Sequence, residues 1–127
     1  MTTVYLTGDR SIDPLTAANL AAAAIQDLVH EAHGDIEFVT GDAPSGIEKA
    51  VRYLVPEARL SVVTRQLDED GRPNLDLAHE AIKAEHPGVV PVLLHSAPLD
   101  SKIGASAVKV FGEEAVKLPM QDAVLGL

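Results

Sequence analysis

The sequence predicts an α/β domain in which a parallel sheet is covered by helices on both faces. Short β-rich runs alternate with amphipathic helical patterns along the chain. One run, residues 89–94, is continuously apolar, as expected of a strand that helices bury on both faces. The 127 residues are enough for one hydrophobic core. We therefore expect a doubly wound, Rossmann-like sheet of about five strands in the order 3-2-1-4-5.

The first half of the chain contains two strand–helix units. Residues 3–7 and residues 36–40 are β-rich runs. Between them, Asp13 as the N-cap and Pro14 at the first helical position indicate the start of a long amphipathic helix. A second helix follows the second run and ends before Pro56, because the residue before a proline disfavours the helical conformation.

The second half repeats this alternation. Residues 60–64 predict a third strand, and the polar residues 65–73 that follow are interpreted as a solvated loop, with a lid over the strand ends as the alternative. Asn74 is expected to cap a third helix, and Ser101 a fourth helix after the strand at residues 89–94. The short run 115–118 predicts a fifth strand at the edge of the sheet.

The charge and the aromatic content exclude several classes of partner. The formal net charge of −9 opposes binding to duplex DNA, to RNA or to an anionic membrane. The chain contains two Tyr, two Phe and no Trp, too few for a surface on which nucleic-acid bases could stack. We therefore expect no nucleic-acid partner and no membrane partner, while a small ligand remains compatible with one local cation.

The absence of cysteine excludes disulfides, thiolate zinc sites and thiol nucleophiles. It fits a reducing compartment, and the first residues lack the basic region of a signal peptide, so a cytoplasmic protein is expected. His30 and His33 lie one helical turn apart, but near a helix C-terminus a solvated histidine is favoured by the dipole. We expect no metal and no cofactor.

A glycine-punctuated turn, residues 41–48, joins the second strand to the second helix. Gly41 and Gly46 allow close backbone approach, and the first helical amides at a strand tip can receive a ligand oxygen. However, Ser45 followed three residues later by Glu48 is also a capping box, which would satisfy those amides without a ligand. The sequence leaves both interpretations open.

The predicted topology places this turn beside two other loops. In doubly wound sheets, ligands bind at the C-terminal ends of the strands where the strand order reverses, here between strands one and four. The site would be walled by residues 8–10, residues 41–48 and residues 95–102. The candidate ligand-binding residues are Gly8, Asp9, Arg10, Gly41, Asp42, Ala43, Ser45, Gly46, Glu48, His95, Ser96 and Lys102.

Two of these loops resemble a known family. Residues 8–10, Gly-Asp-Arg, resemble the Gly-Ser-Arg signature of the SLOG superfamily, and residues 41–48 resemble its Gly-Gly-Ala-x-x-Gly-x-Asp/Glu signature. This superfamily of Rossmann-like domains includes the Lonely Guy and DNA-processing A families. The similarity covers about the first 55 residues by motif and the rest by element order only. The resemblance implies a domain that binds a nucleotide or a nucleotide-derived molecule.

In the Lonely Guy branch, the family activity is hydrolysis of the N-glycosidic bond of a nucleoside monophosphate. Asp9 and Asp42 depart from the signatures, and the full Pro-Gly-Gly-x-Gly-Thr-x-x-Glu motif of the hydrolytic branch is absent. Binding is therefore expected rather than hydrolysis. If the chain is an enzyme, Glu48 would stabilise an oxocarbenium-like sugar and Asp42 would be the second carboxylate. An Asx turn is the alternative role for Asp42.

Arg10 is the only cation in the first two loops that follow strands, and its guanidinium can clamp a phosphate. The alternative is an ion pair with Asp9, Asp13 or Asp42. The leading hypothesis is thus a sensor or sequestering module for a nucleotide-like ligand, formed by residues 1–118. A scaffold is the third hypothesis, since the apolar tail 119–127 is expected to pack on the domain or on a partner chain, with a homodimer as the expected assembly.

Overall fold

The computed structural model describes residues 1–119, and every structural statement below concerns them. One sheet contains four strands, which are β1 (Thr2–Gly8), β2 (Ile36–Gly41), β3 (Leu60–Val63) and β4 (Val90–Leu94). All pairings are parallel and the order is β3-β2-β1-β4. The α/β class and the order 3-2-1-4 are confirmed.

Four helices alternate with these strands. They are α1 (Pro14–Glu31), α2 (Gly46–Leu54), α3 (Leu75–Glu85) and α4 (Lys102–Phe111). Helices α1 and α2 pack together, as do α3 and α4. Because side chains alternate along a strand, Val4 and Leu6 of β1 join the core of α1 and α2, while Tyr5 packs with Ile82 of α3.

Helices α1, α3 and α4 begin at the positions that their predicted N-cap residues indicated. The Asp13 carboxylate accepts a hydrogen bond from the Thr16 amide at 3.0 Å, and Ser101 accepts one from the Gly104 amide at 3.0 Å. Asn74 does the same at the start of α3, where its side-chain oxygen lies 3.1 Å from the Leu77 amide. These three predicted caps are confirmed.

The fifth strand predicted over residues 115–118 is wrong. Only Lys117 pairs with β4, through its amide to the Pro91 carbonyl and its carbonyl to the Leu93 amide, both at 2.9 Å. Residues 113–115 form a turn, and Pro119 has no amide hydrogen with which to continue the ladder. The predicted strand is thereby reduced to one parallel bridge at the β4 edge.

Between residues 1 and 119, none of the helices has both the length and the apolar character needed to cross a membrane. The prediction for the apolar tail concerns residues 119–127, of which only Pro119 belongs to the described part of the chain.

Candidate functional site

Two cavities lie at the C-terminal edge of the sheet. The first, the Glu48 cleft, has a volume of about 210 Å³ and is lined by Tyr5, Arg10, Gly41, Asp42, Glu48 and Leu75 together with the β3–α3 loop. The second, the His95 cleft, has a volume of about 270 Å³ and is lined by Gly8, Asp9, Arg10, Leu75, His95 and Lys102. Arg10 and Leu75 line both clefts, so these two residues mark the boundary between them.

Eight of the twelve candidate residues line one of these two clefts. The other four are elsewhere. Ala43, within the turn, is buried, and Ser45 and Gly46 line a surface groove between α1 and α2. Ser96 uses its backbone amide to bind the Asp9 carboxylate. The three loops that the sequence predicted around one crevice therefore form two adjoining cavities, with Arg10 between them.

Glu48 is buried at the N-terminal end of α2, where its side chain is held by the sheet. The residue is 5% exposed, and its Oε2 accepts a hydrogen bond from the Thr7 hydroxyl at 2.8 Å. Its Oε1 accepts a hydrogen bond from the Ala43 amide at 3.2 Å. A carboxylate can accept more than two hydrogen bonds, so Glu48 retains acceptor capacity toward the cleft.

The capping-box interpretation of Ser45 and Glu48 is wrong. The Ser45 side chain makes no capping bond to α2, and its hydroxyl instead donates to the Arg10 carbonyl at 2.9 Å. Thr7 draws the Glu48 carboxylate toward β1, away from the amide that a capping box requires. This turn is thus stabilised by contacts with β1 and its loop.

Position 41 requires glycine because the Glu48 carboxylate lies close to its backbone, not because the backbone conformation there is unusual. A β-carbon at position 41 would lie 2.5 Å from both carboxylate oxygens of Glu48. Only glycine allows the carboxylate to approach the end of β2 this closely.

The N-terminus of α2 is packed against the loop that follows β1. Gly46 has a φ of 77°, and the Ile47 amide donates a hydrogen bond to the Asp9 carbonyl at 2.9 Å. A backbone carbonyl of the protein therefore binds a helix-start amide that the sequence had offered to a ligand oxygen. The side-chain cations of the clefts are therefore stronger candidates for binding an anion than this amide.

Arg10 is exposed, and its guanidinium forms no ion pair with any residue from 1 to 119. The three carboxylates considered as partners bind other groups. Asp9 binds His95 and Ser96, Asp13 binds Thr16, and Asp42 binds Arg65. The ion-pair alternatives for Arg10 are therefore wrong, and the guanidinium can meet a ligand without first breaking such a pair.

The loops after β1 and β4 are joined by Asp9 and His95. The His95 Nε2 lies 2.8 Å from the Asp9 Oδ1, and the Ala97 amide donates to the His95 Nδ1 at 2.9 Å. Because Nδ1 accepts a hydrogen bond, it carries no proton. Nε2 is therefore the protonated nitrogen, and it donates to Asp9. This pair orders one wall of the His95 cleft.

Arg52 was not identified from the sequence, although it lies four residues after Glu48 and so on the same face of α2. Its Nη1 donates to the Gly41 carbonyl and its Nη2 to the Ala43 carbonyl, both at 2.6 Å. The planar guanidinium thus binds the carbonyls of the residues before and after Asp42 and fixes the backbone between them. The sequence did show a Glu and an Arg four residues apart, but that spacing is typical of an ordinary ion pair on a helix surface and does not indicate a contact with the loop.

Arg52→Lys is expected to lower the free energy of unfolding by about 1–2 kcal/mol, because an ammonium cannot make both hydrogen bonds in this geometry. Arg59→Lys is the matched control, since the exposed Arg59 makes one side-chain hydrogen bond, to the Gly34 carbonyl. Urea unfolding measures both variants. Equal losses in the two would show that the double hydrogen bond of Arg52 has no special weight.

Tyr5 and His79 form a buried polar pair that the sequence did not reveal. The Tyr5 hydroxyl lies 3.0 Å from the His79 Nε2, and the His79 Nδ1 lies 2.9 Å from the Ser106 hydroxyl. Burial lowers the pKa of His79 to about 4, with the nearby Asp76 opposing the shift. Burial, with Glu48 as a further cause, raises the pKa of Tyr5 well above its ordinary value. Both side chains are therefore neutral at pH 7.

The described residues contain no group of three or more histidine or acidic side chains that could hold a metal ion. Comparison with protein families, characterised proteins and solved structures found no match to this chain. The functional interpretation below therefore depends on the geometry and chemistry of the two clefts.

Proposed function

We propose that the chain binds a nucleotide or a nucleotide-derived small molecule at the C-terminal ends of its strands, as a sensor or sequestering module. The observation that supports this most directly is the position of Arg10. Its exposed guanidinium lines both clefts, with the Glu48 carboxylate in one and Lys102 in the other. A guanidinium binds phosphate oxygens in a bidentate manner, and the nearby polar groups can bind the remainder of such a ligand.

The charge of the chain makes this cation important. With a net charge of −9, the protein as a whole repels anions, so an anionic ligand needs a local positive site. Arg10 and Lys102 supply two cations to the lining of the His95 cleft, where the one carboxylate, that of Asp9, is bound by His95 and the Ser96 amide. An anionic group placed there lies away from the Glu48 carboxylate, which would repel it.

The cleft volumes favour an elongated ligand. Each cavity, about 210 and 270 Å³, is smaller than the roughly 300–1,000 Å³ of common small-molecule sites. A molecule that extends past Arg10 into both cavities would use a volume within that range. Nucleotides have this shape, with a phosphate at one end and a sugar and base at the other.

N-glycosidic hydrolysis is the second candidate function, because Glu48 and Asp42 line the same cleft. The surroundings of Asp42 favour binding over this reaction. Its Oδ2 accepts a hydrogen bond from the Arg65 amide at 3.1 Å and lies 3.8 Å from the Arg65 Nε. A carboxylate occupied in this way is a weaker second acid or base, so Glu48 would have to act largely alone.

The test is a thermal-unfolding screen of the purified protein with nucleoside mono-, di- and triphosphates and NAD-derived compounds, with mass spectrometry of the same mixtures. A ligand that binds only the folded state raises the melting temperature by mass action. Recovery of that compound intact would support the binding module. Release of a free base would move the hydrolase to first place, and a flat screen would favour the scaffold hypothesis, which the oligomeric state would then test.

Arg10→Gln is expected to weaken binding of the phosphate-bearing hit by at least about tenfold, since a charge-assisted hydrogen bond contributes about 1.5–3 kcal/mol. The matched control is Arg59→Gln, which removes the same charge from an exposed residue that lines neither cleft. Isothermal titration measures both affinities. An equal loss in the two variants would attribute the effect to overall charge and contradict the role of Arg10.

A further inference from the structure

A chain of hydrogen bonds leads from the surface of α3 and α4 to the Glu48 cleft. At its outer end, Asp76 accepts a hydrogen bond from the Lys109 Nζ at 2.7 Å and from the Ser106 hydroxyl at 2.6 Å. These two donors, Lys109 first, hold the pKa of Asp76 below its usual value. Asp76 is therefore ionised and can only accept, so the single hydroxyl proton of Ser106 must point toward it.

This direction determines which nitrogen of His79 carries the proton. Because the Ser106 proton is donated to Asp76, the Ser106 oxygen can only accept from the His79 Nδ1, which lies 2.9 Å away. His79 is neutral and fully buried, so its one ring proton is on Nδ1. Its Nε2 then has a free lone pair and accepts the hydroxyl proton of Tyr5 at 3.0 Å.

The proton of Tyr5 is thereby directed to His79, on the α3 side, and is not available in the cleft. Tyr5 is one of the residues that line the Glu48 cleft, and with its proton directed to His79 its oxygen has only lone pairs left to offer a ligand. Glu48, the neighbouring polar group of the lining, is a carboxylate whose oxygens likewise accept. Tyr5 and Glu48 thus give this part of the cleft two acceptors, and the hydroxyl proton of the adjoining Thr7 is already donated to Glu48.

We propose that Tyr5 is a specificity-determining residue whose oxygen, oriented by His79, Ser106 and Asp76, accepts a hydrogen bond from a donor group of the ligand. This inference rests on the proposed function, since it concerns the nucleotide-like ligand of the same cleft. In a nucleotide the donor is a sugar hydroxyl or an exocyclic amine of the base. A ligand that presents a carbonyl oxygen or a hydrogen atom at this point loses the contact, because buried acceptors then remain unpaired.

The first test needs no ligand. Nitrogen NMR of the protein with labelled histidine distinguishes a protonated ring nitrogen from an unprotonated one, and the expected result for His79 at pH 7 is a proton on Nδ1 and none on Nε2. Ser106→Ala removes the acceptor of Nδ1 and is expected to shift the proton toward Nε2. A proton on Nε2 in the unaltered protein would overturn the inference, because Tyr5 could then direct its own proton into the cleft.

The second test compares affinities for four nucleotides by isothermal titration. AMP is compared with 2′-deoxy-AMP and 3′-deoxy-AMP, which lack one sugar hydroxyl, and with IMP, in which a carbonyl oxygen replaces the amine. AMP is expected to bind at least about tenfold more tightly than the analogue that lacks the relevant donor. The analogue that loses affinity identifies whether the donor belongs to the sugar or to the base.

Tyr5→Phe is the decisive variant, since it removes the acceptor and is expected to reduce this discrimination several-fold. A structural role alone would weaken all four nucleotides equally and leave their ratios unchanged. The matched control is Tyr53→Phe, the same chemical change at a residue that is 89% exposed. Should Tyr5→Phe fold poorly, Ser106→Ala gives the same readout, with an expected loss of discrimination.

The outcomes separate this inference from the proposed function. If AMP binds and no analogue differs from it, or if Tyr5→Phe retains the ratios, the inference is overturned while nucleotide binding stands. If none of the four nucleotides binds, both this inference and the proposed binding of nucleoside monophosphates are overturned. Discrimination that disappears in Tyr5→Phe and persists in Tyr53→Phe supports the inference.

Discussion

Replacing Gly46 by Ala is expected to lower the free energy of unfolding by about 2–5 kcal/mol. Gly46 has a φ of 77°, in the left-handed region, which costs a residue with a β-carbon about 1–2 kcal/mol. A β-carbon here also meets the backbone of Asp9 and Arg10, and such overpacking costs about 1–3 kcal/mol. Main-chain atoms cannot rotate away as a flexible side chain can. The measurement is urea unfolding at pH 7.

Gly88→Ala is the matched control, because Gly88 has a similar φ of 81° and no atom within 4 Å of the added carbon. It should show only the conformational part, about 1–2 kcal/mol. The difference between the two variants then gives the cost of separating α2 from the loop after β1. That separation breaks the hydrogen bond from the Ile47 amide to the Asp9 carbonyl, so Gly46→Ala should also weaken ligand binding. Equal losses in both variants would contradict the close packing described for Gly46.

The second large effect is a loss of stability in acid caused by His79. Burial lowers the pKa of this side chain from 6.5 to about 4. Between these pH values the unfolded chain binds a proton that the native state excludes, so stability rises with pH and falls on acidification. The contribution of His79 at pH 4 is a loss of about 3 kcal/mol relative to pH 7. Urea unfolding at a series of pH values from 7 to 4 measures it.

His79→Gln removes the titrating group, so its free energy of unfolding is expected to vary less over this pH range, although the variant is less stable at pH 7. His30→Gln is the control, since His30 is an exposed residue in the last turn of α1 and its loss should leave the steep pH dependence in place. The explanation fails if His79→Gln retains the full acid sensitivity of the unaltered protein.

The parts of the fold that sequence could predict are those fixed by local chemistry. The caps Asp13, Asn74 and Ser101 each bind an amide three residues ahead, so their role is contained within one helical turn. The four strands were recognisable as apolar runs between turn residues. The prediction of a fifth strand was wrong because the apolar pattern at residues 115–118 does not indicate the turn that precedes it. Nor does it indicate that Lys117 makes only a single bridge to β4.

The site was predictable only in part, for a related reason. The loops after β1, β2 and β4 were located because parallel strands place their C-terminal ends at one edge of a sheet. Arg52 was missed because its partners are main-chain carbonyls, which no residue pattern indicates. His79 was missed because its partner Tyr5 lies 74 residues away along the chain, and only the packing of α3 on β1 brings them together.

The central position of β1 also determines the order in which the molecule can be completed during synthesis. One edge of β1 pairs with β2, so this pairing is possible once residue 41 has left the ribosome. The other edge pairs with residues 90–94 of β4, and Tyr5 receives its His79 partner only with α3. Until then the nascent chain carries an apolar strand with an unpaired edge, a surface on which neighbouring chains can add. The lining of the Glu48 cleft extends to residue 82 and that of the His95 cleft to residue 103, so both are assembled only when most of the chain has been translated.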